Sequence, residues 1–174
     1  MKKLGLLVVV LFSLFVLGAC TKEGKLENVD SINKEDIFNQ EEEVYYIYFH
    51  RIECPDCETS APRIINYELI RQEKASCSDK RKIYSVLLYT KSEKPDEDTY
   101  IYREYTGTDG EGQGTDGKYF VNGVTRWQDL YIATTSSLIA INTSKDGKVA
   151  SFIAQGSSDI DAHLASQLDQ CYNN

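Results

Sequence analysis

The chain has 174 residues, room for one ordinary domain and a targeting segment, and its 41% apolar, 26% charged and 11% aromatic composition is that of a soluble globular protein. Twelve Tyr against one Trp and one Met suggest β-structure with many half-buried rings. A formal charge of −8 with no block of Lys and Arg argues against a nucleic-acid partner, because phosphate neutralisation needs clustered cations.

The N-terminus "MKKLGLLVVVLFSLFVLGAC" places Lys2 and Lys3 before an apolar run from Leu4 to Leu17, closed by Gly18, Ala19 and Cys20. A basic start, a short apolar stretch and small closing residues read as a secretory signal over 1–19 rather than a membrane span. The final "LGAC" resembles the lipobox of bacterial lipoproteins, which implies cleavage before an acylated Cys20. On that reading the protein is lipid-anchored at the extracytoplasmic face of the cell membrane, where disulfides persist. Residues 20–30 are then a polar tether, and 31–174 one domain. Four cysteines remain for redox chemistry: Cys54, Cys57, Cys77 and Cys171.

Within the domain, "SINKEDIFNQ" carries a weak helical stripe (Ile32, Ile37, Phe38) with Ser31 as candidate N-cap. "VYYIYFH" (44–50) lacks polar alternation and reads as a central strand covered on both faces. From Cys57 to about Gln72, the spacing of Cys57, Ala61, Ile64, Ile65 and Leu69 predicts a helix, with Pro62 inside it as a kink. "KIYSVLLYT" (82–90) reads as a second buried strand and "EDTYIYREY" (97–105) as a helix. "TGTDGEGQGTDG" (106–117) is an exposed glycine-rich loop; its brush with a calcium-loop pattern fails because Phe120 holds the twelfth position. "YFVNGVTRW" (119–127) suggests a hairpin about Asn122-Gly123. "SLIAI" (137–141) and "KVASFIA" (148–154), joined at Asp146-Gly147, read as an antiparallel pair. Ser158, Ile160, Leu164 and Leu168 then mark a capped amphipathic helix. The fold class is α/β, a central mixed sheet flanked by helices, with an irregular insert at about 91–128.

"YYIYFHRIECPDCETSAP" resembles the signature of the thioredoxin superfamily: buried strand, short turn, CxxC at a helix N-terminus, and a proline five residues beyond. Cys54, Cys57 and Pro62 occupy the matching positions, and "LYIATTSSLIAINTSKDGKVASFIAQG" is similar to the family's closing strand pair. There is also some similarity to thioredoxin-like proteins associated with bacteriocin export. The resemblance implies a thioredoxin-like sandwich and a thiol-disulfide oxidoreductase. Its partners would be disulfide-containing exported proteins or peptides and a membrane electron donor, and it implies no cofactor. Three departures stand out. The family's cis-proline position falls at Ser136, beside Thr135 in the implied substrate groove; a cis non-proline bond costs roughly 3–4 kcal/mol, so a trans peptide is expected there. The family's buried aspartate falls on Tyr48, and the aromatic residue before the first cysteine is Glu53.

In that chemistry Cys54 is the exposed nucleophile and Cys57, buried one turn inside, resolves the mixed disulfide. Pro55 restricts the turn and Pro62 shapes the helix. The helix dipole favours a Cys54 thiolate by up to ~2 kcal/mol, whereas Glu53, Asp56 and Glu58 oppose it, which predicts a reducing couple. A potential near or above about −120 mV would overturn that. His50 and Arg51 are the nearest cationic candidates; for His50 a half-solvated strand end competes, and His163 reads as structural or exposed. Zinc is disfavoured because no second CxxC is present. Cys77 and Cys171 read as a structural staple, or else as two separate thiols. The competing function is a binding or accessory lipoprotein whose 54–57 disulfide is structural; a surface adhesin has no signal beyond the anchor.

Overall fold

The strand at the centre owes its position to its side chains. "YYIYFH" forms β2 (Tyr45–His50), every residue of which is buried, and a chain of large rings and one isoleucine satisfies that only with layers on both faces. The computed structural model describes residues 24–88, 121–132 and 135–172. Around β2 lie β1 (Asp30–Ser31), the helix α1 (Pro55–Glu73), β3 (Lys82–Leu87), the hairpin β4 (Ser137–Ser144) and β5 (Gly147–Gln155), and the helix α2 (Ser157–Tyr172). They form an α/β domain on a five-stranded mixed sheet of order β1-β3-β2-β4-β5. β3 is parallel to both β1 and β2, while β2 with β4 and β4 with β5 are antiparallel. The parallel β2–β3 pair needs a crossover, and α1 supplies it.

Alternation along β2 divides the core. Tyr45, Ile47 and Phe49 face Ile37, Val121, Val124, Leu130 and Ile132. Tyr46 and Tyr48 face Ile64 and Tyr67 of α1 and Ile160 and Leu164 of α2. The buried rings place their hydroxyls on specific partners: Tyr45 donates to the Ile37 carbonyl at 2.7 Å and Tyr67 to that of Arg81 at 2.9 Å. The Tyr46 hydroxyl meets His163 Nε2 at 2.9 Å, which gives His163 a structural place.

Several local expectations change. Residues 32–38 form only a short 3-10 turn, Lys34–Asp36, preceded by Asn33, whose side chain makes no capping bond, with Ser31 already in β1. Ser158 lies within α2 rather than before it. Of the hairpin expected at 119–127, the described residues 121–124 form a tight turn, with the Val124 N–H bonded to the Val121 carbonyl at 3.1 Å. That turn docks on β5, since Gly123 donates to Ala150 O and Ala150 to Val124 O. The buried stripe of α1 runs through Cys57, Ser60, Ile64, Tyr67 and Glu68 rather than Ala61 and Leu69. Polar side chains hold core positions there because they are bonded. Residues 24–31 are packed as well as polar: Val29 is buried and Leu26 leans on the helical side of the core. The helix expected at 97–105, the loop at 106–117, Cys20 and the signal segment lie outside the described residues. Among the described residues no helix is long and apolar enough to cross a membrane.

Candidate functional site

β2 ends at His50, and five residues later the chain is helical. Cys54 is the N-cap of α1: its backbone is extended, its sulfur accepts from the Cys57 N–H at 3.2 Å, and its carbonyl accepts from Glu58 N at 2.9 Å. Pro55 occupies the first helical position, where its missing N–H costs nothing. The helix thus starts two residues earlier than the apolar spacing suggests. Pro62 lies within it, exposed, and leaves the Glu58 carbonyl without its helical donor. Cys54 and Cys57 are joined in a disulfide with their Cα atoms 5.1 Å apart.

The sequence reading expects an exposed Cys54 over a buried Cys57. Both are buried, at 2% and 4% exposure. Cys54 nevertheless sits one layer below the surface, because Glu53, Pro55 and Asp56 around it are exposed. Its cover includes the segment before β4: Thr135 Oγ1 lies 3.3 Å from Cys54 Sγ, bridging 81 positions of sequence. The peptide Thr135-Ser136 is cis, not trans as expected. The expectation came from the preference of a free non-proline bond, whereas Thr135, Ser136 and Ser137 are all buried in the folded protein. The Ser136 carbonyl accepts from Gly156 N at 2.9 Å, which ties this loop to the end of β5.

Beneath the disulfide, Tyr48 stands where the resemblance would put a carboxylate. Ser60 Oγ donates to the Asp56 carbonyl at 2.6 Å, so the 2.8 Å contact between Tyr48 and Ser60 is a donation from the phenol. This relay fixes the first turn of α1 to β2. Burial pushes the Tyr48 phenol up to about 12, so it stays neutral. The His50 ring stacks on Tyr48 with centroids 5.3 Å apart. It is 4% exposed, and its Nε2 is without a hydrogen-bond partner. Burial lowers its pKa to about 4. The half-solvated reading of His50 is therefore replaced by a buried, neutral imidazole. Glu53 adopts a left-handed backbone, φ 56°, at the tight entry to the helix.

A cavity of about 250 Å³ opens beside this group, between Lys25 and Leu26, the strand end at His50, and Cys57 and Ala61 of α1. Its outer wall is held by Gly24, whose φ is 84° and where a Cβ would lie 2.7 Å from Leu87 Cδ2. Cys77, in the turn after α1, and Cys171, in the last turn of α2, are bonded to each other with Cα atoms 5.3 Å apart. Among the described residues no three His, Cys, Asp or Glu side chains gather to hold a metal ion.

The structure thus brings Cys54, Cys57, Pro55, Thr135 and Ser136 together. Glu53 and Asp56 lie at the exposed rim, and Pro62 further along α1. Sequence reasoning missed Ser60, which carries no periodic signal, and the 24–26 wall, whose polarity suggested a spacer. No family model matches this sequence, and no curated protein matches it.

Proposed function

We propose that the protein is a membrane-anchored, extracytoplasmic thiol-disulfide oxidoreductase of thioredoxin-like fold that reduces or isomerises disulfides of exported proteins or peptides. The observation that carries this reading is the Cys54–Cys57 bond at the N-terminus of α1, with Cys54 as the cap. In the reduced form the Cys57 N–H, the helix dipole and the Thr135 hydroxyl all favour negative charge on Cys54, while the exposed Glu53 and Asp56 oppose it through screening solvent. The Cys54 thiolate attacks a substrate disulfide, and Cys57 then displaces the substrate sulfur and restores the 54–57 bond. Cys20 is the proposed lipid anchor, and a membrane dithiol donor re-reduces the pair.

The near-complete burial of both cysteines favours a second reading, a binding or accessory lipoprotein in which the 54–57 disulfide is structural. Insulin reduction by wild type and Cys54→Ser separates the two. Turnover in wild type that the variant loses supports the oxidoreductase; equal, near-zero turnover in both leaves the binding module.

A further inference from the structure

A resolving thiol buried in a helix has to lose its proton before it can attack, and the phenol of Tyr48 beneath the disulfide is neutral and already donates to Ser60. Among the described residues two nitrogens beside Cys57 are buried without a partner, His50 Nε2 and Arg51 Nε, and of these only the imidazole can accept a proton. His50 follows Tyr48 by two residues on β2, so its side chain lies on the face covered by α1, and it lines the same cavity as Cys57. A buried polar nitrogen without a partner costs stability, and such atoms are rare in folded proteins.

We propose that His50 is the proton acceptor for Cys57 when the dithiol form closes its disulfide. The assignment rests on the oxidoreductase reading. Once Cys54 holds a substrate sulfur in a mixed disulfide, His50 Nε2 takes the Cys57 thiol proton. The Cys57 thiolate attacks Cys54 Sγ, the Cys54–substrate bond breaks, and the departing substrate thiolate takes up a proton from the imidazolium or from water. Two electrons pass from the protein dithiol to the substrate disulfide, and His50 ends neutral. The fixed charges around the cavity offset one another, Lys25 and Arg51 against Glu53 and Glu58, and the Tyr48 ring stacks on the imidazole. In the disulfide form the sulfurs carry no charge to offset burial, and the imidazole stays neutral. When Cys57 in the dithiol form gives up its proton, the thiolate so formed provides the counter-charge.

The test is single-turnover ring closure, using oxidised glutathione as substrate and following release of the glutathione held on Cys54. In His50→Phe the ring remains stacked on Tyr48 and an unpaired buried nitrogen is removed, so the fold should persist. Closure at pH 7 is expected to slow by about tenfold or more, with the first attack by Cys54 changed less than about twofold. Closure within about twofold of wild type overturns the assignment. In wild type, whatever the variant does, a proton shared with Cys57 makes the two groups titrate as a coupled pair, so the His50 midpoint read by NMR should lie at least about one pH unit higher in the dithiol than in the disulfide form. Equal titration in the two forms overturns it independently. Absence of insulin turnover with both His50 signatures intact would remove protein disulfides as the substrate and leave the proton transfer standing.

Discussion

Glu53 and His50 each hold a side chain where the local chemistry disfavours it. A left-handed backbone costs a non-glycine residue about 1–2 kcal/mol, and Glu53 has φ 56° at the helix entry. Glu53→Gly is expected to raise stability by about 1 kcal/mol, less the entropy a glycine adds to the unfolded chain, as read from the urea midpoint. The same change removes a carboxylate next to Cys54 and should lower its thiol pKa in an alkylation-rate titration. His50 acts through pH. Its folded pKa, lowered by burial to about 4, lies below the 6.5 of a free imidazole. Between these values the unfolded chain binds more protons, so stability is present above about pH 6.5 and declines as pH falls towards 4. For the oxidised protein the loss attributable to His50 is about 3 kcal/mol, and the stability–pH curve of His50→Phe should be flatter by that amount.

At the scale of elements, α1 is tied to β3 by one carboxylate. β1 is only two residues long, so the Ile83 N–H at the start of β3 lacks a strand partner, and buried Glu68 accepts it at 2.6 Å. Arg71 completes the group, its guanidinium 2.9 Å from Glu68 Oε2. Glu68→Ala is expected to cost about 3–5 kcal/mol in chemical denaturation, because it strands a partly buried cation and a buried N–H. Glu68 also shows what a sequence hides. The strands were readable because "YYIYFH" and "KIYSV" are continuous runs, and α2 because Ile160 and Leu164 repeat at helical spacing. The buried stripe of α1 was misread because Ser60 and Glu68 look solvent-facing until their partners appear. The position of CxxC at a helix start could be read locally. The approach of Thr135 to Cys54 could not, since nothing in either segment encodes a contact across 81 positions.

The whole molecule is closed by Cys77–Cys171, which joins positions 94 residues apart and holds the end of α2 to the turn after α1. A loop of that length makes the bond worth roughly 4–5 kcal/mol in the chain-entropy account. Cys77→Ala with Cys171→Ala should lose about 2–5 kcal/mol in urea, with the 54–57 couple left close to its wild-type potential. A further long-range contact is made by Gly24, seated against Leu87 at the wall of the cleft. It lies four positions after Cys20, a reach of roughly 14 Å even when fully stretched. With acyl chains on Cys20, as proposed, the cleft would hang directly above the headgroups instead of roaming on a long leash. Such a protein would survey only chains emerging at the bilayer surface, and any dithiol that recharges it would have to offer its sulfurs within that same thin layer.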